Sequence, residues 1–233
     1  MYKFATKLLL VLAAAATTAG AFAQSFDEQV ASVFLLQAKP IQKELGVTAN
    51  QRLAMNKFAD AHRVKLSAYY KVLEQSKQKP DESKVVALLT DMKKGVFAQL
   101  NPAQLKRLRE LTLQDLDFTA LLYPKVASRI GLNPAEQKRV TSLIKFGIDK
   151  ANGIRNEAIS RDTADLQKQK PKNQAEEKAL SDEANRRAQA AMDRVLPRIE
   201  RIRADTRRQV LAVLTPAERT KWQDLMGKPF KPA

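Results

Sequence analysis

The chain of 233 residues has no cysteine, one histidine, one tryptophan and seven glycines. Without cysteine it forms no disulfide and carries no cysteine-linked lipid, and thiol chemistry is excluded. One imidazole and no thiolate leave only carboxylates to hold a metal, which restricts any metal to hard ions and gives no ligand pattern to follow. Few glycines and few alternating β-branched runs leave little from which to build a sheet. There is no G-x-S-x-G elbow, glycine-rich phosphate loop or paired acid and base, so the sequence reads as a protein that is not an enzyme and uses no cofactor. Acidic charge is also short. Lys and Arg number 41 against 25 Asp and Glu, a formal net charge of +16.

What is abundant is Ala, Leu, Lys, Arg, Gln and Glu, the composition of long helices, and the expected class is all-α. The N-terminus sets an expected compartment. Lys3 and Lys7 flank the start of an apolar run from Leu8 to Ala16, and Ala21-Phe22-Ala23 is a small-x-small site. This is the layout of a secretory signal peptide, residues 1–23, cleaved before Gln24. Even extended over residues 8–23 the run is only 16 residues long and includes Thr17, Thr18 and Gly20, which is short for a membrane span. No twin arginine precedes it, so the general secretion route is expected, with a periplasmic or secreted bacterial protein as the product. Removing Lys3 and Lys7 leaves 39 basic residues against 25 acidic. That balance calls for an anionic partner: unfolded or acidic polypeptide, or an anionic envelope surface. Export argues against nucleic acid.

The segment LTPAE, residues 214–218, has the physical form of a helix start. Thr215 is an N-cap, Pro216 sits at N1 where its missing N–H costs nothing, and Glu218 at N3 reaches back to the cap's N–H. Asn101 with Gln104 and Asn133 with Glu136 repeat the design, each with a proline between, while Thr48 with Gln51 keeps it without the proline. Each box follows an apolar residue: Val47, Leu100, Leu132 or Leu214. Four helices are therefore expected to start at these boxes. Only Leu100 has an apolar N4 partner, Leu105, for a staple, so the other three are expected to pack on tertiary neighbours.

The boxes also expose a tandem duplication. LLQAKPIQKELGVTANQ (35–51) aligns without gaps on ALLYPKVASRIGLNPAE (120–136), and QLNPAQLKRLREL (99–111) aligns on VLTPAERTKWQDL (213–225). KQKP recurs at 77–80 and 168–171. The reading is of two helical-hairpin repeats, residues 24–117 and 118–233, the second longer. Apolar residues at helical spacing define the arms. Met55, Phe58, His62, Leu66, Tyr69 and Leu73 go out in the first and Val85, Leu88, Met92 and Val96 return. In the second, Val140, Ile144, Ile148, Ile154, Ala158 and Leu166 go out. Met192, Val195, Ile199, Ile202, Thr206 and Val210 return. The outgoing arm 134–170 would be roughly 55 Å long. Asn173 and Glu176 should form a further capping box on the return.

Eight arginines lie between 186 and 208. On a helical wheel the apolar stripe covers about 80°, and Arg187, Arg194, Arg198, Arg201 and Arg208 fall roughly opposite it. They form either a solvated face or an anion-binding surface for a flexible acidic client. Pro197 falls on the same polar side and should bend the helix so that its apolar side is concave. Tyr69 and Tyr70 are read as hairpin contacts, with client contact as the alternative. Phe97 and Phe118 are read as core residues, His62 as a packed ring and Trp222 as the anchor of the last helix.

An exported, cysteine-free helical chain with repeated L-[TN]-x-x-[QE] segments resembles the Spy/CpxP family of periplasmic proteins, defined by an LTxxQ motif. The resemblance rests on residues 47–51, 100–104, 132–136 and 214–218. It implies helical hairpins that assemble as a homodimeric cradle, and ATP-independent chaperone activity or envelope-stress or metal sensing. The shortage of metal ligands argues against the last. Two departures are the duplicated halves, by which one chain would supply what a dimer supplies, and the longer second hairpin.

Overall fold

The computed structural model describes residues 25–76 and 79–231. The expected signal peptide, and Lys77 and Gln78 of the first KQKP turn, lie outside the described residues. The chain is all-α, and among the described residues there is no strand. In order the helices are α1 (Phe26–Val30), α2 (Lys39–Glu44), α3 (Ala49–Ser76), α4 (Glu82–Phe97), α5 (Pro102–Leu116), α6 (Pro124–Ile130), α7 (Pro134–Thr163), α8 (Gln174–Val213) and α9 (Pro216–Met226).

The same order of elements occurs twice. A 3-10 turn, Val33–Gln37 or Asp117–Leu122, leads into a short helix, α2 or α6, with proline in its first two residues. Each short helix is followed by a glycine with positive φ, Gly46 at 61° and Gly131 at 98°. That left-handed turn lets the chain reverse into a capped long helix, α3 or α7. A returning helix and a capped shorter one complete each set. In the second set contacts pair Gly147 with Thr206, Asp162 with Arg194 and Asp165 with Arg187, so α7 and α8 run in opposite directions. Phe58 with Gly95 and Tyr69 with Asp81 give the same sense to α3 and α4.

The chain forms two compact units, one of residues 118–221 and one of residues to 117 together with those from 222. The sequence reading placed everything after 118 in the second half. The described residues from Trp222 to Lys231 instead pack with the first unit, because α5 offers donors to carbonyls among them. Gln114 Nε2 donates to Met226 O (2.6 Å) and Lys228 O (2.7 Å), Arg107 donates to Lys228 O (2.8 Å), and Arg109 donates to Leu225 O. The boundary follows α5 at Asp117, a non-glycine residue with φ of 50°. The second outgoing helix is also shorter than expected. It ends at Thr163, about 45 Å from its start, and a 3-10 turn, Leu166–Lys168, tucks Leu166 inward. The cap on α8 differs as well. Asn173 accepts from Glu176 N (2.9 Å), but the Glu176 carboxylate takes the N–H of Lys172 (2.7 Å) rather than that of Asn173.

Burial is uneven along each hairpin. In the first unit a core cluster includes Leu36, Ile41, Leu45, Met55, Val96, Phe97, Leu108 and Leu111. The fully buried Leu121, Val126, Ile130, Val140, Ile144, Val210 and Leu214 occupy the same element positions in the second. Toward the turns each described arm is a pair of helices whose facing side chains are a mixture of buried and half-buried.

Two glycines in α7 separate packing from propensity. A Cβ at Gly147 would overlap the side chain of Thr206, whereas one at Gly153 would meet nothing within 4 Å. Gly153→Ala should stabilise the protein by about 0.5–1 kcal/mol through helix propensity. Gly147→Ala should destabilise it by about 1–3 kcal/mol through overpacking. Denaturant melts of the two variants should move in opposite directions.

Candidate functional site

All four boxes close in both directions. Thr48 N donates to Gln51 Oε1 (3.0 Å) and Gln51 N to Thr48 Oγ1 (3.2 Å). The corresponding pairs are 3.0 and 2.8 Å for Asn101 and Gln104, 2.9 and 2.9 Å for Asn133 and Glu136, and 2.8 and 3.3 Å for Thr215 and Glu218. Leu132 and Leu214 are buried, and Val47 and Leu100 pack on the first core. In the first unit the two glutamines do more than cap. Gln51 Nε2 donates to Gln104 Oε1 (2.8 Å) and Gln104 Nε2 to Gln51 Oε1 (3.2 Å). Gln104, itself buried, also donates to Leu45 O (3.2 Å) and Gly46 O (3.3 Å), and Gln51 to Gln99 O (2.8 Å). The boxes are joints in the fold: their polar atoms bond one another at the helix starts, and of their capping residues only Gln104 and Glu218 are buried.

The arginines of α8 divide into two kinds. Arg187 bridges Glu183 (2.7 Å) and Asp165 (2.8 Å), and Arg194 reaches Asp162 (2.7 Å), so these two fasten α8 to the end of α7. Arg208 is paired with Asp205 one turn back (2.9 Å). Arg198 and Arg201 are exposed and have no acidic partner among the described residues. They flank Pro197, itself exposed and without the N–H that the Asp193 carbonyl would otherwise accept. Along the same stretch Met192, Val195, Ile199 and Ile202 are only half-buried. The expected five-arginine face thus keeps two arginines without acidic partners, along the stretch of α8 whose apolar row is only half-buried. Arg187 and Arg194 were not separable from it in sequence, because Asp165 and Asp162 lie 22 and 32 positions earlier in the chain.

Of the two tyrosines, Tyr69 is structural. Its hydroxyl accepts the N–H of Asp81 (2.8 Å) and so holds the first hairpin turn, while Tyr70 is 45% exposed. His62 is buried, stacked on Phe58 with ring centroids 4.6 Å apart, and its Nδ1 lies 3.1 Å from Phe58 O. Phe97, Phe118 and Trp222 are buried. Among the described residues no group of three His, Cys, Asp or Glu could hold a metal ion. Sequence reasoning missed a second apolar face on α3, where Leu53, Val64 and Val72 are 71%, 66% and 61% exposed. Phe146 on α7 is equally open at 66%. The signal was available: none of the four falls on the helical stripe that carries the core.

No family model, no curated protein and no solved structure matches the chain.

The bridges of the second hairpin imply a pH response. Arg186 and then Arg187 hold Glu183 down at about 2, and Asp162 and Asp165 are held below the usual range by Arg194 and Arg187 respectively. A carboxylate with a depressed folded pKa contributes its full stabilisation above the unfolded value, near 4.5 for Glu183, and loses it as pH falls toward 2. All three are solvent-accessible, so each contribution is small. Thermal midpoints should drop between pH 5 and pH 2, and Glu183→Gln should show a shallower drop together with a slightly lower midpoint at pH 7.

Proposed function

We propose that the chain is an exported, ATP-independent holdase-type chaperone that binds unfolded or flexible polypeptide, the activity implied by its resemblance to the Spy/CpxP family. The observation that carries this reading is the middle of α8, where Arg198 and Arg201 lack acidic partners along the same stretch of helix whose other side carries the half-buried Met192, Val195, Ile199 and Ile202. Unpaired cations attract acidic segments over a Debye length, about 8–10 Å at ordinary salt. Apolar side chains that remain partly hydrated hold such segments weakly enough for release, with no nucleotide needed. Neither step requires a reacting group. The binding row stays available because two helices cannot enclose the seam between them.

Purified protein at near-stoichiometric ratio should suppress aggregation of an acidic client diluted from denaturant, without nucleotide. Arg198→Glu combined with Arg201→Glu should raise the concentration needed roughly three- to tenfold, mostly through slower capture, and added salt should reduce the difference between variant and wild type. Light scattering gives both. Absence of suppression at stoichiometric protein would overturn the proposal.

A further inference from the structure

α3 carries two apolar faces. One packs inward through Met55, His62 and Leu73. The other is bare: Leu53, Val64 and Val72 are all more than 60% exposed. At about 100° per residue these three fall within an arc of ~120° that also contains Lys57, Lys65 and Lys71, all exposed. The other positions of the arc are Ala, Asn and Gln, and it contains no Asp or Glu. Asp60 and Glu74 lie outside it, and Asp60 is already paired with Arg63 at 3.2 Å. From Leu53 to Val72 the arc runs about 28 Å along one unbroken helix.

We infer that this face of α3 docks on a bilayer containing anionic phospholipid. The chemistry fits that occupant. Leucine and valine side chains enter the boundary between headgroups and acyl chains, and lysine stems lie along the same apolar surface while their ammonium groups remain among the phosphates. Attraction accumulates with each lysine near an anionic surface, and the excess of 39 basic over 25 acidic residues in the chain after residue 23 adds a long-range pull. A second copy of the chain is a poor occupant, because two such faces would bring six ammonium groups together. No described helix is long and apolar enough to cross a membrane, so contact would be at the surface. The docking face is on a different helix from the α8 row, and the inference stands apart from the chaperone reading.

The test is co-sedimentation of the exported, purified protein with vesicles of phosphatidylglycerol and phosphatidylcholine, against vesicles of phosphatidylcholine alone. The wild type should bind the anionic vesicles selectively. Lys57→Gln/Lys65→Gln/Lys71→Gln and Leu53→Ser/Val64→Ser/Val72→Ser should each weaken binding at least tenfold. All six side chains are exposed, so both variants should keep the wild-type circular dichroism spectrum and thermal midpoint within a few degrees. Arg198→Gln/Arg201→Gln removes two charges away from the α3 face and should weaken vesicle binding far less than either α3 variant. Equal binding by both α3 variants and the wild type would overturn the inference. So would binding to a synthetic acidic amphipathic helix, lost in the α3 variants, with no binding to either vesicle.

Discussion

The side-chain amides of Gln51 and Gln104, bonded to each other in both directions, are the constraint on which the first unit depends. Each amide first closes the cap of its own helix, and with what remains it reaches the other helix and the turn before α3. This fixes the N-termini of α3 and α5 to one another and to the reversal at Gly46. A carboxamide can do this because it both donates and accepts. Glu136 and Glu218 stand at the equivalent positions of the second unit, where a carboxylate accepts the cap's N–H but has nothing to donate. The second unit keeps the caps and lacks the amide joint.

Arg109 completes the first unit from the other side. It is buried, donates to Asp27 of α1 (3.0 Å) and to the Leu225 carbonyl, and lies 5.7 Å from the Phe26 ring. A buried guanidinium left without these acceptors would be strongly destabilising, so α1 and the final residues are held to α5 together. Packing is thus concentrated where caps, short helices and Arg109 meet. The hairpin arms beyond have only each other. That contrast leaves the α8 row partly open and one face of α3 bare, and it is the source of both proposed binding surfaces.

What could be read from the sequence was local. The capping boxes are set by residues three apart, and the helical class and the repeat of elements follow from composition and self-alignment. Non-local partners could not be read. Nothing within a few residues of Gln104 points to Gln51, 53 positions away. Nothing near Arg187 and Arg194 points to Asp165 and Asp162, so a face that is half ion-paired looked uniformly free. The return of the C-terminus to the first unit depends on Gln114 and Arg109 finding main-chain carbonyls more than a hundred residues on. That Leu53, Val64 and Val72 lie off the core stripe was legible in the sequence, but that no other helix covers them was not. In each case the period was legible and the partner was not.

The most direct test of the amide joint is the stability of Gln104→Glu, which installs the residue of the second unit's box. The glutamate would still cap Asn101 and would suit a helix N-terminus. It would also set a carboxylate against the carbonyls of Leu45 and Gly46 and leave Gln51 without its donor. Denaturant unfolding at pH 7 should show a loss of about 2–4 kcal/mol, partly recovered near pH 4 as the carboxyl gains a proton. A variant as stable as the wild type, or more stable, would contradict the account and reduce the glutamine to a simple cap.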